Sequence, residues 1–163
     1  MATRATMNFR IDVYESSTVE FGEGTVHRFL EKELAMGAGT SNGQIDRSWV
    51  SGTRTLNTTS EELDLSGSLT DGFSNIVNYV EVVGIVFQIL SGTGTLTVGG
   101  AAANGFVSLF ADSTDKIVVR PGFPFVMMNT DSGYTVTSGT ADKLKVESST
   151  AMTYRAIFLG RES

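Results

Sequence analysis

Cysteine is missing from the 163 residues, histidine and tryptophan occur once each, and proline occurs twice. Each scarcity closes a set of mechanisms. Without cysteine there are no disulfides, thiolate nucleophiles, iron–sulfur clusters or thiolate zinc sites, although the redox compartment stays open because many extracellular proteins manage without disulfides. Basic residues are few and scattered: 12 Lys and Arg stand against 18 Asp and Glu, the formal charge is -6, and no two basic residues are adjacent. The electrostatic footprint for a phosphate backbone is therefore absent, and nucleic acid is not expected as a partner. Long apolar runs are also missing. The longest, VEVVGIVFQIL at 80–90, is about half the length a membrane helix needs and contains Glu81 and Gln88, so no membrane partner is expected. The opening MATRATMNFR lacks the apolar core of a secretory signal, which predicts a protein that stays where it is made or leaves by cell lysis.

What is abundant is alternation. Apolar and polar residues exchange places along most of the chain, with Gly, Asn, Asp and Ser at the breaks, the period-two signature of half-buried strands. The expected fold is all-β, with a length that suits one domain burying about two thirds of its unfolded surface. FRIDVY (9–14) and STVEFG (17–22) read as strands of an extended N-terminal arm with a short connection between them. TVHRFLEKELAMGAG is open to two readings: Phe29, Leu30, Glu33 and Leu34 nearly make a helical face, and the same residues suit a strand followed by a Gly-rich turn. GAGTSNGQ (37–44) carries little apolar surface and is expected to be flexible. The predicted division is an arm and flexible connection over 1–43 and a sandwich domain over 44–163. Within the latter, turn signals recur about every 8 to 12 residues. The run at 77–90 is apolar on both parities around Val82–Val86, as in a strand covered on both sides. Later strands expect one wet face, with Leu144 and Val146 alternating with Lys143 and Lys145.

Catalytic signatures are sparse. His27 has no nucleophile elbow to serve and sits beside Arg28, so a structural or surface role is the plainer reading. Glu62 and Asp64 share the outer face of a strand whose Leu63 and Leu65 point inward, a solvated face rather than a glycosidase pair. Asp112 and Asp115 in DSTD could offer oxygens to calcium, but Asp and Ser are also ordinary turn formers and the EF-hand spacing is missing. SGTGTLTVGG lacks the lysine and the helix of a phosphate loop and reads as a hairpin region. Phe123, Phe125, Met127 and Met128 read as core or subunit contact. No catalytic, metal or cofactor-binding residue is assigned, and an enzymatic role is not expected. The apolar residues hardest to place in a sandwich are Phe9, Ile11, Val13 and Tyr14 of the arm, which makes them the candidate oligomer or capsid interface.

Two resemblances extend this reading. VVRPGFPFVMMN resembles the second conserved block of the cupins, but the metal histidine that follows the turn there is absent here, which supports a jelly roll and not the cupin enzyme. More of the chain, about residues 44–160, resembles a family of small tailed-bacteriophage proteins. The boxes that carry it occur in order: DRSWVSGTRTL, EELDLSGSLTDGF, VGGAAANGF and DSTDKIVVRPG. The resemblance implies a virion component, a capsid decoration or cement protein of jelly-roll-like antiparallel β-sandwich form. It would be made in the host cytoplasm and sit on the capsid surface. Its expected partners are the major capsid protein and itself, as a homo-oligomer with a trimer favoured over a dimer. The family supplies no catalytic residue to transfer. The competing expectation is a receptor- or glycan-binding tail module, for which Trp49, Tyr79 and Tyr134 are the candidate loop aromatics.

Overall fold

The computed structural model describes residues 3–19 and 22–162, and every regular element among them is a β-strand. β1 (Ala5–Val19) and β2 (Gly22–Ala38) pair antiparallel over fifteen rungs, from Ala5 with Met36 to Val19 with Gly22. At about 3.4 Å per residue this ribbon is about 50 Å long. Glu15 and Ser16, expected as a connection, instead continue β1 and pair with Val26 and Thr25. Residues 20 and 21 of the expected second strand lie outside the described residues. Residues 25–38 are strand, which resolves the double reading of that segment: Val26, Leu30 and Leu34 are four apart, a spacing that fits one face of a helix and one face of a strand equally.

The rest forms two facing sheets. One has the order β11 (Lys116–Val119), β10 (Leu96–Gly99), β14 (Lys143–Glu147), β6 (Ser60–Asp64). The other has the order β12 (Phe125–Met128), β9 (Glu81–Ser91), β15 (Ala151–Arg161), β4 (Arg47–Val50). β13 (Tyr134–Thr135) also pairs with β9, and β5 (Arg54–Asn57) with β15. β7 (Ser66–Thr70) and β8 (Ile76–Asn78) make a separate ribbon, and β3 (Gln44–Ile45) runs parallel to the root of β2. All other strand pairs are antiparallel.

Alternation builds the core between the sheets. Leu144 and Val146 point inward while Lys143 and Lys145 stay outside, and Leu63 and Leu65 are buried behind Glu62. From the other sheet Phe87, Tyr154 and Phe158 meet them, with Trp49 stacked on Phe158 at 5.1 Å. Trp49 and Tyr79 are therefore core residues, and Tyr134 is half-buried against the same cluster. The Tyr79 hydroxyl donates to the Phe158 carbonyl at 3.0 Å. Gly160 is required here, because a Cβ at that position would collide with the Glu81 carbonyl and the Tyr79 ring.

β9 is covered on both sides, as its double-parity apolar run predicts. Its register against β15 skips Val83, since Leu159 faces Gly84 and Gly160 faces Val82. A bulge of this kind turns one extra side chain to the other face. Val82 and Ile85 join the main core, while Val83 joins a second cluster with Met36 and Ile45, against which Ala5, Met128 and Leu159 pack. That second cluster is where the arm meets the sandwich.

Candidate interaction surface

The arm leaves the sandwich through a locked joint. Arg161, 3% exposed, donates from Nε to the Gln44 carbonyl at 3.2 Å and from Nη1 to Glu81 at 2.7 Å. Its Nη2 reaches the carbonyls of Thr130 at 3.2 Å and Asp131 at 2.9 Å. The Gly-rich stretch expected to be flexible is held by the same neighbourhood: Gly39 donates to Ile45, Gly43 to Thr130, and the Asn42 amide to Asp131. Glycine fits there because Gly39 takes a φ of +142°, a conformation that other residues rarely adopt.

Beyond the joint the ribbon is amphipathic. Directly paired residues share a face, so Ala5, Met7, Phe9, Ile11, Val13 and Glu15 lie with Met36, Leu34, Lys32, Leu30, Arg28 and Val26. Nine of these twelve are apolar. The root of the stripe is buried against the sandwich through Met36 and Ala5. Further out it faces solvent: Phe9, Ile11, Val13, Val26 and Leu30 are between 40% and 58% exposed.

The other face is polar and satisfies itself. Arg10 pairs with Asp12 at 2.7 Å and with Glu31 at 3.4 Å, and its guanidinium lies 5.8 Å from the Phe29 ring centre. His27 Nε2 lies 2.9 Å from Asp12 Oδ1, and the His27 ring stacks on Tyr14 at 4.3 Å. Hydrogen bonds from Arg10 and then from His27 bring the Asp12 carboxyl down to about 2. His27 thus stands in a surface ladder of polar contacts. The four candidate residues divide accordingly: Phe9, Ile11 and Val13 share the apolar face, and Tyr14 belongs to the polar one. Met7, Val26, Leu30 and Leu34 complete the apolar stripe, and only the pairing register reveals them.

Where the ribbon parts from the sandwich there is an apolar cleft of about 480 Å³, lined on the arm by Met7, Asn8 and Phe9 and on the body by Val86, Phe123, Pro124, Val126 and Met128. Phe123, at its lip, is 77% exposed, while Phe125 is half-buried against the core.

Two polar features lie elsewhere. A groove of about 450 Å³ is lined by Thr58, Thr59, Ser60, Thr95, Thr97, Ser148 and Ser149 with Glu147. Glu147 accepts from Lys145 at 2.5 Å and from Lys116 at 2.9 Å, and these bonds, Lys145 foremost, hold it below its ordinary range. At the sandwich end, Glu61 accepts from Arg54 and, at 2.7 Å, from the Tyr154 hydroxyl, joining β6 of one sheet to β5 and β15 of the other. Burial alone would raise Glu61, but the bonds from Arg54 and Tyr154 outweigh it and leave the carboxyl low. Asp112 and Asp115 close a turn: Asp112 accepts from Thr114, and Asp115 from the Asp112 amide. Among the described residues no group of three or more His, Asp or Glu side chains is placed to hold a metal ion.

The chain is thus an all-β sandwich carrying an amphipathic ribbon. No protein-family model and no curated protein sequence matches it.

Proposed function

We propose that the protein is a virion structural component of the decoration or cement type, binding the major capsid protein and its own copies on the outside of a bacteriophage head. The observation that supports this best is the arm: a ribbon about 50 Å long, fixed at its root and apolar along one exposed face. An exposed apolar stripe of this size marks a surface made to be covered. A protein that works by bridging shell subunits needs a stiff body and a projecting contact, and each covered contact contributes about 25 cal/mol per Å² before the costs of association. Purified protein mixed with undecorated capsids tests the reading. It should saturate shells at hundreds of copies, and failure to bind any shell would count against it.

The hydroxyl-lined groove favours a second reading, a glycan-binding tail module, because seven Ser and Thr side chains converge there. That reading loses two of its expected loop aromatics, since Trp49 and Tyr79 are buried. Binding of the purified protein on a glycan array, with only a few to dozens of copies per particle, would shift the assignment to it.

A further inference from the structure

We infer that Asn104 is a site of spontaneous chemical modification, where attack by the Gly105 backbone nitrogen on the side-chain amide converts asparagine to isoaspartate. Three places in the chain set Asn or Asp before glycine, whose lack of a side chain leaves its nitrogen open to attack: Asn42–Gly43, Asp71–Gly72 and Asn104–Gly105. The fold closes the first two. The Asn42 amide donates to Asp131 at 2.5 Å and the Gly43 N–H donates to the Thr130 carbonyl at 2.8 Å, so both reacting groups are held at the joint. The Asp71 carboxylate accepts from the backbone amides of Asn75 at 2.9 Å and Phe73 at 2.8 Å, bonds that also favour its ionised form, a poor target for a nucleophile.

The third is open. Asn104 is exposed, and neither its side chain nor the Gly105 N–H makes a hydrogen bond among the described residues. The bridge from this segment to β14 explains why: the Asn104 carbonyl accepts from Lys143 at 2.9 Å and the Phe106 N–H donates to the Lys143 carbonyl at 2.8 Å, a parallel pattern that turns the Gly105 N–H away. Asn104 has a φ of +54°, a left-handed position that Asn tolerates better than most residues with a side chain, which accounts for its place there. Cyclisation needs a rotation about the Asn104 Cα–C bond, and residues 101–103, which make no hydrogen bond among the described residues, are free to follow it. The Gly105 nitrogen then bonds to the Asn104 Cγ, the Cγ–Nδ2 bond breaks, and ammonia leaves with the Gly105 proton. Water opens the cyclic imide. Opening at the former main-chain carbonyl carbon gives isoaspartate, in which the chain runs through Cγ and the carbonyl that accepts from Asp142 and Lys143 becomes a free carboxylate. The Asn104 and Phe106 stitches to Lys143 are then separated by an extra backbone carbon and cannot both keep register. Phe106, buried in the main core, is the residue this loosens.

Ageing the full chain in warm, mildly alkaline buffer, and locating each converted residue by fragment mass spectrometry, tests the inference. Asn104 should convert mostly to isoaspartate, while Asn42, whose two hydrogen bonds must open first, should react about tenfold more slowly or slower still. In the chain unfolded in urea the two should convert at similar rates, because both then present a bare glycine nitrogen. The aged protein should also exchange the amides of Phe106 and β14 faster than fresh protein. Fresh Asn104→Asp, which carries the new charge without the added carbon, should not, and neither should aged Asn104→Gly, which keeps the left-handed turn and has no amide to lose. An Asn104 that survives in the folded chain while converting in urea, or an Asn42 that keeps pace with it in the folded chain, would overturn the inference. So would isoaspartate at 104 that leaves β14 exchange unchanged. The reaction does not depend on a virion role, and shell binding has no bearing on it.

Discussion

The sandwich and the arm are written in the same alphabet of alternating residues and differ in what meets their apolar faces. In the sandwich, Leu144 and Val146 look across at Tyr154 and Phe158, and both sides are dry. In the arm, Ile11 and Leu30 look across at solvent. A two-stranded ribbon on its own is marginally stable in water. The joint at Arg161 and the Met36 cluster hold its root, and the remaining length has only its own cross-strand pairs. Alternation therefore specifies a strand with two unlike faces; it does not say whether the partner face lies in the same chain.

Substitutions should separate the two regions, with the greatest effect in the sandwich. Phe158→Ala removes a fully buried ring packed on Trp49 and Phe87, and should cost about 3–5 kcal/mol in denaturant unfolding. Next comes the joint. Arg161→Met leaves Glu81 and three carbonyls without their donor, and should cost about 2–3 kcal/mol while loosening the arm root. In the arm itself, Ile11→Asp or Leu30→Asp should change the sandwich's stability by no more than about 0.5 kcal/mol and abolish binding to undecorated capsids. A loss of sandwich stability equal to that of Phe158→Ala would erase the distinction between the regions.

The smallest effect is in the polar ladder. Asp12 is held at about 2, below its usual 3.8, so the ionised form is the one the folded arm prefers. Its contribution is complete above the unfolded value and is lost as pH falls through the folded one. The Asp12 carbon signal followed by NMR should therefore stay constant from neutral pH down to about 4 and titrate near 2. Titration near 4 would mean that the Arg10 and His27 contacts do not hold in solution.

Much of the sandwich was legible in the sequence because its strands bury one face against another part of the same chain. Leu63 and Leu65, or Leu144 and Val146, announce that pattern within five residues. The double-sided burial of β9 was legible too, since Val82 and Val83 cannot both point inward without a second layer; the bulge that accomplishes it was not, because register is a property of two strands. The arm was legible as extended chain around Phe9–Tyr14, but not as a hairpin. Its second strand presents Val26, Leu30 and Leu34 at a spacing shared by helix and strand, and only pairing with β1 decides between them. The same pairing moves Tyr14 off the apolar face. Trp49 and Tyr79, the candidate loop aromatics of the competing tail-module reading, lie in the core instead, because large aromatics next to turn residues suit either place and only the closed sandwich shows which. The Gly-rich joint looked flexible because its anchors, Thr130, Asp131 and Arg161, are distant in sequence.

Amide hydrogen exchange of the full chain, compared between free protein in dilute solution and protein bound to undecorated capsids, bears most directly on the central claim that the arm's apolar face is made to be covered by another molecule. Peptides spanning 5–16 and 25–36 should exchange fast in the free protein and slow markedly on the shell, while peptides from β9 and β15 stay equally protected in both. Arm peptides already as slow as those from β9 and β15 in the free, dilute protein would show that the ribbon needs no cover, and would contradict the account.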